Sequence, residues 1–140
     1  MTEIRLHGRF GQPVGKIARA IGKYALEQGL RVQVFDAFAA YRPGAPMYSV
    51  VRLDQQFIRE RSANGTKPDV VFVLDNSLFA VTDVTKGLKP NGRICAKGVT
   101  TKDFAEKGNE FGFCSLDQYF ERGKNVEESC ISALKGEGIL

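Results

Sequence analysis

The sequence predicts an α/β fold: a three-layer sandwich around a mostly parallel, Rossmann-like sheet, in a single domain over residues 1–140. Three observations carry that expectation. Ile4 to Gly29 runs strand, glycine turn, helix, which is the first half of a βαβ unit. Asp69 is followed by the continuous apolar run Val70-Val71-Phe72-Val73-Leu74, the pattern of a strand covered on both faces. Further short strand patterns then alternate with helical stretches toward the C-terminus.

Ile4-Arg5-Leu6-His7 alternates as a first strand, and Gly8-Arg9-Phe10-Gly11-Gln12-Pro13 forms a glycine-rich turn. Val14 to Gln28 reads as an amphipathic helix. Val14, Ile17, Ala18, Ile21 and Ala25 fall on one face, and Lys16, Arg19, Lys23 and Glu27 on the other. Pro13 suits the first helical position, where a missing N–H costs nothing. Gly29 suits the position after the helix end, where only glycine takes a left-handed conformation cheaply. Arg31 to Phe35 is a second strand. Asp36 to Met47 holds two aromatics, Gly44 and prolines 43 and 46, and reads as an unusually apolar loop. Such a loop either folds onto its own core or packs against a partner. Arg42 inside it, with no acidic neighbour in sequence, favours the partner.

Tyr48 to Leu53 is a third strand, Gln55 to Lys67 a polar connection and Asp69 to Leu74 a fourth strand. Asp75-Asn76-Ser77 can cap a helix from Leu78 to about Lys86. Lys89-Pro90-Asn91-Gly92 is a turn and Arg93 to Gly98 a strand. Thr101 can cap a short helix over Lys102–Lys107, Phe111 to Cys114 is a strand, and Leu116 to Leu134 is mainly helical with a break at Gly123.

Composition excludes several classes. With 43% hydrophobic and 26% charged residues, the chain matches a soluble globular protein. The net charge of +4 comes from scattered Lys and Arg, so a nucleic-acid stripe is not expected. No apolar run nears the roughly 20 residues of a membrane span, and the N-terminus turns polar too early for a signal peptide. A cytoplasmic protein is expected. Cys95, Cys114 and Cys130 are far apart, without C-x-x-C spacing, and are read as buried or idle thiols with no metal site in this chain. His7, the single histidine, has no Ser, Cys or Asp at a helpful spacing and is read as a structural residue bonding a loop carbonyl.

The candidate functional residues are Gly8, Arg9, Gly11, Gln12 and Arg42, lining a ligand or subunit cleft. The turn exposes backbone N–H groups at a helix start, where an anion is favoured. The arginines present planar donor forks suited to phosphate or carboxylate. No catalytic residue is assigned.

Four stretches resemble one family. His7-Gly8-Arg9-Phe10-Gly11-Gln12-Pro13 is similar to the H-G-R-G-G-Q-G that opens the gamma subunit of 2-oxoacid:ferredoxin oxidoreductases, the pyruvate synthase group. Phe35 to Pro46 resembles that family's F-P-E-F-G-P-E-R-R-G-A-P, and Pro68 to Asp75 its P-D-V-V-V-V-L-D. Thr85 to Gly92 is similar to its E-G-L-K-x-G-G. Phe10 and Pro13 stand where the family has turn glycines, Ala37 and Tyr41 where it has acids, and Pro43 where it has a second arginine.

The resemblance implies a subunit, not a whole enzyme. Its complex would decarboxylate a 2-oxoacid oxidatively, usually to an acyl-coenzyme A. Thiamine diphosphate, magnesium and iron–sulfur clusters would sit in partner chains of alpha, beta and delta type. Coenzyme A would be a co-substrate, and ferredoxin or another acceptor would take the electrons. Two other readings remain open. One is a stand-alone nucleotide-binding domain, with Asp36 ending the second strand where a ribose-binding acid sits. The other is a scaffold that has lost its ligand site, which Pro13 supports by removing an N–H from the turn.

Overall fold

The computed structural model describes residues 2–9, 14–38, 46–56, 58, 68–74, 78, 88, 92–96, 112–115 and 126–136. In chain order these form β1 (Thr2–Arg9), α1 (Val14–Glu27), β2 (Arg31–Phe38), β3 (Pro46–Asp54), β4 (Val70–Val73), β5 (Arg93–Ala96), β6 (Gly112–Ser115) and α2 (Val126–Gly136). The strands make one sheet in the order β2-β3-β1-β4-β5-β6.

The α/β class stands, but the sheet is mixed rather than built by parallel crossovers throughout. Pairs β1–β4, β4–β5 and β5–β6 are parallel, whereas β3 runs antiparallel to both β1 and β2. β1, α1 and β2 therefore form a split βαβ unit, with β3 inserted between the two parallel strands. The reason is chain length. Only residues 39–45 separate β2 from β3, and a parallel crossover needs about a dozen or more.

That hairpin also revises the apolar loop expected over 36–47. Asp36 to Phe38 continue β2, and Pro46 and Met47 open β3. Pro46 is tolerated as the first residue of a strand. Gly8 and Arg9 likewise belong to β1 rather than to a turn, because Met47 and Pro46 pair with them.

α1 forms as its periodicity dictates. Val14, Ile17, Ala18, Ile21, Gly22 and Ala25 are buried, and Lys16, Arg19, Lys23 and Glu27 are exposed. Its end is a Schellman motif: Leu30 N–H reaches Ala25 O at 3.0 Å and Gly29 N–H reaches Leu26 O at 3.0 Å. Gly29 has φ +85°, as its place after the helix requires. α2 packs beside α1 and buries Cys130, Ala133 and Leu134. The expected helical stretch over 116–125 lies outside the described residues, and the described helix runs from Val126 to Gly136.

The two sheet faces differ. Ile4, Leu6, Val51, Leu53, Val70, Phe72 and Cys95 face α1 and α2 in the main core. Val71, Val73, Ile94 and Ala96 form a second cluster with Leu78 and Leu88. All four β4 residues are buried, as the continuous apolar run predicts. β5 and β6 lie within about two residues of expectation. Apart from Leu78, the helices expected over 78–86 and 102–107 lie outside the described residues, as do the cap at Asp75–Ser77 and most of the 89–92 turn.

Candidate functional site

The candidate cleft lies where β1 ends. Gly8 pairs with Met47 and Arg9 with Pro46, and His7 is in register with Val73 at the end of β4. Leu74 N–H closes this junction on His7 O at 3.0 Å. β1 and β4 thus finish side by side, and α1 starts at Val14 a few residues beyond. Gly8 is buried and Arg9 half-buried. Strand alternation places them on opposite faces: Gly8 shares the α1 face with Ile4 and Leu6, and Arg9 shares the other with Arg5 and His7. Gly11, Gln12 and Arg42 lie outside the described residues. Pro46, the first residue of β3, opposes Arg9.

Just beneath this junction, on the α1 face, is a polar group that sequence reading recognised only in part. Arg19 Nη2 donates to Asp36 Oδ2 at 2.7 Å, and Arg19 Nη1 donates to Gly15 O at 3.0 Å. Ser49 Oγ donates to Asp36 Oδ1 at 2.6 Å. Both Asp36 oxygens are therefore engaged inside the chain, which argues against the ribose-binding role considered for this residue.

Burial raises the Asp36 pKa, but the hydrogen bonds from Arg19 and Ser49 and the Arg19 charge outweigh it and hold the carboxyl below its ordinary value of 3.8. A carboxyl lowered by folding stabilises the fold above its unfolded pKa, and that contribution is lost as pH falls through the lowered folded value. Asp36→Asn is thus expected to flatten the stability-versus-pH curve below about pH 4, measured as urea midpoints across an acid pH series. An unchanged curve would remove Asp36 from the acid response.

The other face carries a buried charged group that the sequence reading missed. The polar residues of β1 alternate with apolar ones, yet they do not face water: Glu3, Arg5 and His7 are 3%, 5% and 5% exposed. Arg52, 1% exposed, donates from Nε to Glu3 Oε1 at 2.7 Å, and its guanidinium carbon lies 5.2 Å from the Phe35 ring centroid. Arg5 Nε donates to His7 Nε2 at 2.8 Å, and the His7 ring leans on Tyr48 with centroids 5.6 Å apart. A guanidinium only donates, so His7 Nε2 is an acceptor here. His7 is tied to Arg5 through that nitrogen. A usable signal was present at Arg52: a charge inside Val50-Val51-Arg52-Leu53 must find a partner if the strand is central. Glu3 and Gly8 are five residues apart, or roughly 17 Å along a strand, so the Glu3–Arg52 pair holds the fold and lies far from the cleft.

A cavity of about 630 Å³ flanks the first half of β2, lined by Leu26, Val32, Val34, Phe35 and Ile58 with Arg31 and Gln33. It is apart from the β1 end. Among the described residues no three His, Cys, Asp or Glu side chains gather as metal ligands. Cys95 and Cys130 are buried and outside any disulfide. No described helix is long and apolar enough to cross a membrane.

Residues 3–128 match the family model described as pyruvate ferredoxin/flavodoxin oxidoreductase. The common gamma subunit of the pyruvate/ketoisovalerate oxidoreductases of Thermococcus litoralis is 41% identical over 103 residues, 74% of this chain and 55% of that protein. Pyruvate synthase subunit PorC of Thermotoga maritima is 37% identical over 117 residues, 82% of this chain and 60% of that protein. The chain therefore spans little more than half the length of these relatives. The crystal structure of pyruvate oxidoreductase subunit PORC from Thermotoga maritima superposes with a TM-score of 0.71 and 30% identity, covering 99% of this chain and 78% of that one. The matched span includes β1, the hairpin and β4, the elements that build the cleft. The chain belongs to the pyruvate ferredoxin/flavodoxin oxidoreductase family, in its gamma-subunit group.

Proposed function

We propose that this chain serves as the gamma-type subunit of a multi-subunit 2-oxoacid:acceptor oxidoreductase that oxidatively decarboxylates a 2-oxoacid, usually to an acyl-coenzyme A. The observation that carries the reading is the family match over residues 3–128, reinforced by relatives whose names mark them as one subunit among several. Partner chains of alpha, beta and delta type would hold thiamine diphosphate, magnesium and iron–sulfur clusters. Ferredoxin or another carrier would accept the electrons, and the complex would work in the cytoplasm. In this reading the second sheet face, where Leu78 and Leu88 pack, carries a further layer that completes a three-layer sandwich.

Gly8, Arg9, Gly11, Gln12 and Arg42 would line the cleft at the end of β1. The parallel β1–β4 junction favours this place, because ligands of open α/β sheets bind beyond strand C-termini. The engagement of both Asp36 oxygens disfavours the nucleotide-binding alternative.

The test is steady-state kinetics of the assembled complex, with pyruvate as donor and ferredoxin as acceptor. Arg9→Ala is expected to raise KM for the anionic donor or for coenzyme A by about 5- to 30-fold, equivalent to losing about 1–2 kcal/mol from a charge-assisted contact. A variant that melts earlier with KM unchanged would make Arg9 structural. Absence of 2-oxoacid-dependent ferredoxin reduction with any 2-oxoacid would overturn the functional reading itself.

A further inference from the structure

We infer that Gly15, Arg19, Asp36 and Ser49 form a positioning clamp that fixes the first turn of α1 against the β2–β3 hairpin and so sets the mouth of the cleft. The inference rests on the cleft reading above.

The bonds form a continuous chain across three elements. The Gly15 carbonyl in the first turn of α1 accepts from Arg19 at 3.0 Å, Arg19 donates to Asp36 of β2 at 2.7 Å, and Ser49 of β3 donates to the same carboxylate at 2.6 Å. Each link has a charged partner, and the two to Asp36 are short. Ser49 is the register partner of both Asp36 and Leu6. It lies two residues from Met47, which pairs with Gly8 and Phe38. The clamp therefore sits one tier below Gly8 and joins β2 and β3, which lie together on one side of β1, to the helix that follows β1. The lowered Asp36 pKa keeps its carboxylate charged at neutral pH.

Glycine at position 15 leaves room for this arrangement. A Cβ there would lie 2.6 Å from Arg19 Nη1 and 3.3 Å from Asp36 Oδ1. Gly15 sits within a helix, where Ala is the better helix former, so what glycine contributes is room for the guanidinium. Arg19 itself is exposed, its side chain retaining 61% of its accessible surface. An ion pair so open adds little to stability. What it does is tie the first turn of α1 to β2, and a misplacement of about 1 Å away from the chemistry is felt in function.

The test uses the assembled complex with pyruvate as the probe, comparing Gly15→Ala, Asp36→Asn and Arg9→Ala. Gly15→Ala is the sharpest variant, because it favours the helix while pushing Arg19 off Asp36. The expected result is a KM for pyruvate raised roughly 3- to 10-fold in Gly15→Ala and Asp36→Asn, with kcat within about twofold and the Gly15→Ala melting midpoint held or raised. Unchanged KM in both, with KM raised in Arg9→Ala, overturns the clamp and leaves the cleft standing. Unchanged KM in all three overturns the cleft and the clamp together. A KM rise that merely tracks a fall in melting midpoint also overturns the clamp, since these bonds would then only hold the fold.

Discussion

Arg52→Met is expected to destabilise the fold by about 3–5 kcal/mol, because it strands Glu3 as a buried carboxylate without its partner. Arg52 is 1% exposed and Glu3 is 3% exposed, and the Nε–Oε1 contact is 2.7 Å. At the same time Phe35 loses the guanidinium stacked over its ring. The contrast with Arg19 on the opposite face is instructive. That pair has a similar distance but an open arginine, and removing it should cost no more than about 1 kcal/mol. Urea denaturation of the two single variants separates the cases. The double variant Glu3→Leu, Arg52→Met should recover most of the lost stability, since an apolar pair of similar volume can replace a buried ion pair at little net cost. If Arg52→Met alone were neutral, the pair would not be desolvated as the structure describes.

Phe72→Ala is expected to have a comparable effect, about 3–5 kcal/mol, through the cavity it leaves. Phe72 has no exposed surface and lies on β4 between Leu6 of β1 and Cys95 of β5. Its side faces the main core beneath the helices. A domain of this size has about 5–15 kcal/mol in total, so this one truncation would remove a large share. Leu26→Ala is the natural comparison: Leu26 is 59% exposed, and a substitution there should shift stability by no more than about 0.5 kcal/mol. Thermal or urea midpoints of the two variants check the ranking, and equal midpoints would contradict the assigned burial.

These two positions also show what could be read from the chain. Phe72 was legible. A run of five apolar residues can be a strand only if both faces are covered, and β4 is buried throughout. α1 was legible for the same kind of reason, its apolar spacing and Gly29 fixing the buried face and the end of the helix. Arg52 and Glu3 were not, because alternation reports which residues share a face and says nothing about whether that face is wet. The burial of β1's polar side depends on segments distant in sequence. The antiparallel β3 was hidden by the same limit. Tyr48 to Leu53 has strand character whichever way it runs, and its direction follows from the short 39–45 connection once β2 extends to Phe38. Of the proposed cleft, the position of Gly8 and Arg9 near a strand end was legible, because a strand–turn–helix order points to strand ends. The Arg19–Asp36–Ser49 chain joins three elements that only tertiary folding brings together, and Asp36 could be singled out but not given its partners.

The proposed role makes this chain one subunit of a larger oxidoreductase. Native capture of the tagged chain from the cells that make it, followed by mass spectrometry of what elutes with it, tests this most directly. Larger chains are expected to co-elute in fixed ratio, with thiamine diphosphate and iron–sulfur absorbance in the same fraction and 2-oxoacid-dependent reduction of ferredoxin. A well-behaved monomer that elutes alone and binds no larger chain would contradict it.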